Sequence, residues 1–207
     1  MNWSYATAVP AAEPVVRLER LDALRGLAML WMALFHFCFD LSHYGLLAGQ
    51  NFYRDPFWLL QRLCIVSLFL ACAGAGQVLA LQAAGGQRWS ARFWRRWAQV
   101  AACALLVSLG SVWMFPRSYI SFGVLHAVAV MLLLLRLLAP LGRMPLLLLA
   151  LMALPLPLLL ADPWFDSRWT NWIGLTTHKP ITEDYVPLLP WFGVMALGWL
   201  LADLLRR

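Results

Sequence analysis

The sequence predicts an all-α fold: a polytopic membrane helical bundle of about six transmembrane helices, with both termini in the cytoplasm. Three observations carry this expectation. The 207 residues are 62% hydrophobic and only 13% charged, with a mean hydropathy of +0.70, whereas soluble domains are about half apolar and a quarter charged. Apolar runs of roughly 20 residues, the length that crosses a bilayer, recur along the chain. Arginines gather in alternate connections between those runs, as the positive-inside rule requires.

Residues 1–16 are rich in Ala and Pro and lack a basic stretch before an apolar core. They read as a loosely ordered tail rather than a cleaved signal peptide. Residues 17–207 read as a single transmembrane domain. Six spans are expected, roughly Leu21–Tyr44, Phe57–Ala83, Phe93–Phe115, Tyr119–Leu138, Met144–Ala161 and Tyr185–Leu205. The fifth contains Pro155 and Pro157, which kink or break a helix unless neighbours re-satisfy the backbone. Pro187 and Pro190 suit the first turns of the sixth.

Arg17 and Arg20 precede the first span, Arg88, Arg92, Arg95 and Arg96 surround the second connection, Arg143 lies in the fourth, and Arg206 and Arg207 end the chain. The other side holds Arg54, Arg117, Arg168 and Lys179. This asymmetry directs both termini to the cytoplasm and the long connection from Asp162 to Asp184 outward. The formal net charge of +6 then reads as loop charge facing anionic headgroups, not as nucleic-acid affinity. Twelve Trp fit interfacial aromatic belts. Cys38, Cys64, Cys72 and Cys103 all lie in apolar stretches without metal-ligand spacing, so neither a disulfide framework nor a metal is expected.

Leu21–Phe37 reads LDALRGLAMLWMALFHF, an apolar span carrying ionisable groups that hydrocarbon disfavours. At 100° per residue, with Arg25 at zero, His43 falls at about 0°, His36 at about 20°, and Asp22 and Asp40 at about 60°. One narrow stripe therefore runs the length of the helix and must face a polar cleft or other helices. Arg25 lies near the cytoplasmic end, and His36 lies about 16 Å further along, past the midplane. Asp40, one turn after His36, is placed to orient an imidazole and support its protonated form. Plainer readings stand beside these: an interfacial Arg25–Asp22 pair, an interfacial His43, a packing role for His36.

His126, in YISFGVLHAV, is expected about 10 Å below the outer edge of the fourth span, level with His36. A hydrogen-bonded core histidine is the bland alternative. Glu183 and Asp184 stand at the outer mouth of the sixth span, where helix capping alone would account for them. Arg62 lies inside an apolar run, with Asp55 or Asp40 as expected partners. Gly74 and Gly76 permit close helix approach. Trp89–Trp97, WSARFWRRW, is a basic aromatic edge suited to anionic lipid, or to a phosphate-bearing cofactor through Arg92, Arg95 and Arg96.

LDALRGLAMLWMALFHF resembles the opening helix of membrane-embedded acyltransferases, and Arg25 and His36 match the Arg-x10-His arrangement of the acyltransferase-3 family. FGVLH and DYVPLLPWFGVMALG resemble the heparan-α-glucosaminide N-acetyltransferase catalytic-domain family, especially its short bacterial members. The resemblance implies acetyl transfer across the bilayer from cytoplasmic acetyl-CoA to a sugar amine or hydroxyl outside, in a bacterial cytoplasmic (inner) membrane. It implies that Arg25 lies near the acyl donor and that His36 is the membrane histidine, with His43 as a rival. The lysosomal members have more spans and a lumenal domain that this sequence lacks, which weighs against a heparan-type acceptor.

The resulting expectation is an acetyl-CoA-dependent acyltransferase. Arg25, Arg92, Arg95 and Arg96 hold the donor, His36 with Asp40, His43 or His126 carries the chemistry, and Asp184, Glu183 and Arg62 meet a glycan or other small acceptor. Lipid, donor and acceptor are the expected partners, with a homodimer to enlarge a small helical shell. The alternatives are a small proton-coupled transporter or channel, in which the stripe conducts, and a non-catalytic membrane assembly protein.

Overall fold

The computed structural model describes residues 19–47 and 50–205. The expected N-terminal tail, Arg17, Arg206 and Arg207 lie outside the described residues. Those described form an all-helical membrane bundle of seven α-helices: α1 (Glu19–His43), α2 (Pro56–Ala83), α3 (Ala91–Met114), α4 (Val124–Leu138), α5 (Arg143–Ala153), α6 (Leu156–Leu159) and α7 (Leu188–Leu204). Short 3-10 turns occupy Ala139–Leu141, Pro163–Asp166 and Asn171–Ile173. Four helical stretches are long and apolar enough to cross a membrane: α1, α2, α3, and α4 with the turn after it. The helices α5 and α7 are apolar but shorter.

The first three spans begin and end where local chemistry dictates. Glu19 and Asp22 sit in the first turn of α1, where carboxylates complement the helix dipole. Gly45, at φ 74°, ends α1 with the Leu46 N–H on the Leu41 carbonyl at 2.8 Å, a glycine-dependent helix stop. The Asp55 side chain caps α2 by accepting from the Phe57 N–H at 3.0 Å, and Pro56 supplies a first-turn φ. Ser90 caps α3 through the Phe93 N–H at 3.3 Å.

The later spans depart from expectation. The fourth starts five residues late, at Val124, because Tyr119–Gly123 bonds to other segments instead of to its own turn. The fifth breaks as its prolines foretell: α5 stops at Ala153, and a single turn, α6, follows Pro155. Eleven residues rise only about 16 Å, short of a bilayer core. The sixth begins at Leu188 rather than Tyr185, and Leu189 is extended, at φ −102° and ψ 133°, as the residue before a proline prefers.

The bundle centres on α2, α4 and α7, with α2 and α7 in the most extensive contact. Glycines make that contact possible: a Cβ on Gly74 would strike the Met195 carbonyl, and one on Gly198 would strike the Ala71 backbone. The core joins Leu70 and Val78 to Ala127, Met131 and Leu135, and these to Phe192, Met195 and Trp199. Outside it, α1 leans on α2, α3 on α4, and α5 on α7. Only Ala28 of α1 is buried, so this helix is the least embedded of the long ones.

The seam of α1 against α2 carries Ala28, Trp31, Phe35 and Phe39. Trp31 Nε1 donates to Gln61 Oε1 at 2.7 Å, and Phe35 and Phe39 meet Phe52 edge-on, with ring centroids 5.6 and 5.4 Å apart. On the wheel these four positions span roughly 240–320°, so the ionisable stripe at about 0–60° runs beside the seam, with Arg25 alone of it bonding across to α2, at the Cys72 carbonyl.

Candidate functional site

The end of the bundle that carries few arginines gathers three connections. The segment Thr182–Tyr185 lies against Ser118–Val124. Thr182 Oγ1 donates to the Tyr119 carbonyl at 3.0 Å, the Glu183 N–H donates to the Ser118 carbonyl at 2.9 Å, and Ser118 Oγ donates to the Glu183 carboxylate. Asp184 Oδ2 accepts the Val124 N–H at 2.7 Å. Asp184 is thus the N-terminal cap of α4, supplied from far along the chain, and satisfies one of that helix's orphan donors. Gly123 is required beside it, because a Cβ there would collide with the same carboxylate. The FGVLH and DYVPLLPW stretches are therefore two halves of one contact.

His126 belongs to this contact. Its Nδ1 accepts from the Gly123 N–H at 3.3 Å, and its Nε2 lies 3.1 Å from Ser108 Oγ. Ser108 spends its own proton on the Ile120 carbonyl at 2.6 Å, so Nε2 is the donor and the ring is the neutral Nε2–H tautomer. Ser111 Oγ, also on α3, accepts the Ile120 N–H at 3.0 Å. Both ring nitrogens are committed: Nδ1 caps the start of its own helix, and Nε2 ties that start to α3. Because α4 starts late, His126 lies in its first turn, about 3 Å past the helix start and not the roughly 10 Å expected.

His36 and Asp40 are both exposed. The expected pairing between them does not form: among the described residues no ion pair or hydrogen bond links them. Asp184, by contrast, lies within electrostatic reach of His36, Arg62 and His126. Burial pushes the Asp184 carboxyl above the usual carboxylate value; the Val124 N–H, and then His36, Arg62 and His126, pull it back. Arg62 has neither expected partner. Asp55 is engaged as the cap of α2, and no ion pair joins Arg62 to Asp40 among the described residues. In the long connection before α7, Lys179 lies over the Tyr53 ring, 5.4 Å from its centroid, and feels the Arg62 charge.

His43 is exposed at the end of α1, stacked beside Phe39 at 6.4 Å between centroids. It lines a cavity of about 200 Å³ with Ser42, Gln50, Asn51 and Tyr53. That cavity is separate from the Asp184 contact.

At the other end of the stripe, Arg25 Nη1 donates to Asp22 Oδ1 at 3.0 Å, and Nη2 donates to the Cys72 carbonyl at 3.4 Å. Gly76 leaves room for this guanidinium, since a Cβ there would overlap Nη2. Arg92, Arg95 and Arg96 are exposed in the first turns of α3. Between them Trp89, Trp94 and Trp97 pack as a stack and an edge contact, each with centroids 5.6 Å apart. Among the described residues no group of three His, Cys, Asp or Glu side chains converges to hold a metal.

Three polar groups escaped the sequence reading. Ser108 and Ser111, one turn apart on an apolar helix, gave a faint signal. Arg136 gave a stronger one, as an ion inside the leucine run MLLLLRLL. It is 1% exposed. It donates from Nε and Nη2 to Gln77 Oε1 at 3.1 and 3.0 Å and from Nη1 to the Arg88 carbonyl at 2.5 Å, and its guanidinium carbon lies 4.4 Å from the centre of the Phe93 ring.

Residues 17–207 match the family model described as heparan-alpha-glucosaminide N-acetyltransferase, catalytic. No curated protein and no solved structure matches the chain.

Proposed function

The chain belongs to the heparan-α-glucosaminide N-acetyltransferase catalytic family, and on that premise we propose that it moves an acetyl group from cytoplasmic acetyl-CoA to a sugar amine or hydroxyl on the outer side. Membership makes it a membrane-embedded acetyltransferase; donor, acceptor class and direction belong to the proposal. By resemblance to the short bacterial members, the membrane is the bacterial cytoplasmic one. A homodimer is the expected assembly, because six apolar segments enclose little room for a molecule as long as CoA.

One observation carries the assignment of parts. A single carboxylate, Asp184, joins the stretches on which the resemblance rests: it caps the helix that begins FGVLH, and its field reaches His36 of the first helix. His36 then handles the acetyl group, and Asp184 takes over the electrostatic role first expected of Asp40. His126 serves as a positioning residue that fixes the Asp184 anchor. Arg25 meets the donor near its acyl end, with Arg92, Arg95 and Arg96 toward its phosphates. Glu183 and Arg62 border the acceptor's entry, and Asp40 and His43 line the outer part of the stripe.

The chemistry balances on either of two routes. His36 attacks the thioester carbonyl, releasing CoA thiolate and forming an acetyl-imidazole that the acceptor opens. Otherwise His36 takes the acceptor's proton while the acceptor attacks directly, and the proton passes to the thiolate. The purified protein should release CoA thiol from acetyl-CoA in proportion to added amino-sugar acceptor. His36→Ala should lower that rate by about 100-fold or more, the usual contribution of a positioned acid–base group. Equal rates in both proteins would remove His36 from the reaction.

A further inference from the structure

The arginine-rich end of the bundle holds a cavity of about 810 Å³ that none of the expected donor arginines lines. Leu81 of α2, Arg88 after it, Arg143 and Leu146 of α5, and Trp199 and Asp203 of α7 form its walls. Their chain positions grade the cavity. Arg88, Arg143 and Asp203 lie at or beyond helix ends, whereas Leu81, Leu146 and Trp199 lie further along their helices toward the bundle.

The charge around the cavity is unbalanced. Arg143 is already answered by Asp203, Nε to Oδ2 at 2.5 Å, with Nη2 also on the Asp203 carbonyl at 2.9 Å. Arg88 is exposed, and its side chain makes no hydrogen bond or ion pair among the described residues. Behind it lies Arg136, fully buried, bonded to the Arg88 carbonyl and to a neutral amide. No carboxylate forms an ion pair with Arg136 among the described residues. Two cations, one of them in a low-dielectric interior where its field is little screened, therefore act here without a counter-charge.

We propose that this cavity binds the phosphate headgroup of an anionic phospholipid, gripped by Arg88 and drawn by the buried charge of Arg136. Three features favour a lipid over other phosphates. The basic groups stand at the helix ends, where headgroups lie. The apolar inner walls continue from them, as acyl chains continue from a headgroup. The acyl donor is disfavoured by position. On α2, Gly74 and Leu81 face α7 and the cavity, roughly 140–160° around the helix from Gly76, which meets Arg25. A donor seated in the cavity would stand across α2 from His36; this step alone rests on His36 as the acetyl-handling group.

The test uses the full chain in a neutral detergent, followed by native mass spectrometry and thermal unfolding. Phosphatidylglycerol, phosphatidylcholine and coenzyme A are titrated separately against the wild type, Arg88→Gln and Arg20→Gln. Phosphatidylglycerol should bind and raise the unfolding temperature while phosphatidylcholine does neither. Arg88→Gln should weaken phosphatidylglycerol binding about tenfold, the scale of one charge-assisted hydrogen bond. Arg20→Gln, at the same end but off the cavity, should leave it unchanged. On the wild type, a photoactivatable phosphatidylglycerol should crosslink to Gly142–Leu146. Equal response to both lipids, equal losses in both variants, or labels scattered away from that segment would overturn the proposal. Coenzyme A that displaces phosphatidylglycerol and weakens with Arg88→Gln would also overturn it, giving the cavity to the donor. Acetyl transfer is read separately, so neither failure mimics the other.

Discussion

His126→Ala removes two structural hydrogen bonds at once, leaving the Gly123 N–H and Ser108 Oγ without their partner. Thermal unfolding should show a loss of about 1–3 kcal/mol, the range for orphaned buried polar groups. His36→Ala should leave stability nearly unchanged, since His36 is exposed, while lowering transfer by about 100-fold or more. The two histidines thus separate by readout: one moves the unfolding midpoint, the other the rate. Asp184 adds a pH signature. Burial raises its folded-state value above the ordinary 3.8, so the native state binds its proton more tightly than the unfolded chain does. Its contribution is fully present below the unfolded value and is lost as pH rises through the raised folded value. Asp184→Asn should flatten that part of the stability profile, measured by thermal scans from acid to neutral pH. An unchanged slope would mean that Asp184 is not the titrating group.

Elements depend on glycines where backbones touch. Gly198 meets the Ala71 backbone across the α2–α7 contact, whereas Gly110 on α3 has open space around it. Gly198→Val should lower stability by about 1–3 kcal/mol or more, because rigid backbone cannot move aside as a side chain does. Gly110→Ala should be tolerated. Gly76→Ala sits between these, because its Cβ would meet only the far end of Arg25. The helix should survive, and acetyl-CoA turnover should fall as the guanidinium is displaced. Arg136 ties α4 to α2 and to the connection before α3. Arg136→Lys keeps the charge but loses the forked donors and the stacking on Phe93. It should destabilise the bundle by about 2 kcal/mol in the same unfolding assay.

For the whole molecule, the expected sidedness predicts that green-fluorescent fusions at either terminus will both fluoresce in a bacterial host, as cytoplasmic ends do. A dark fusion at one end would overturn the even-span topology. The long spans were legible in the sequence because length, hydropathy and end signals are local: Asp55 before α2, Ser90 before α3 and Gly45 after α1 mark boundaries that lie within two residues of expectation. The ionisable stripe on α1 was equally legible, since helical geometry alone fixes which residues share a face. The late start of α4, the break after α5 and the extended Leu189 were harder, because prolines and bonds from distant segments competed there with apolar length. Sequence alone determined an all-helical membrane bundle, its family and the Arg25–His36 stripe. Tertiary structure alone decided what that stripe meets. Asp184 was drawn from far along the chain to the start of α4, His126 became part of a helix cap, and Arg136 was buried without an ion-pair partner among the described residues. Each follows from contacts between chain-distant segments, which hydropathy and periodicity do not encode.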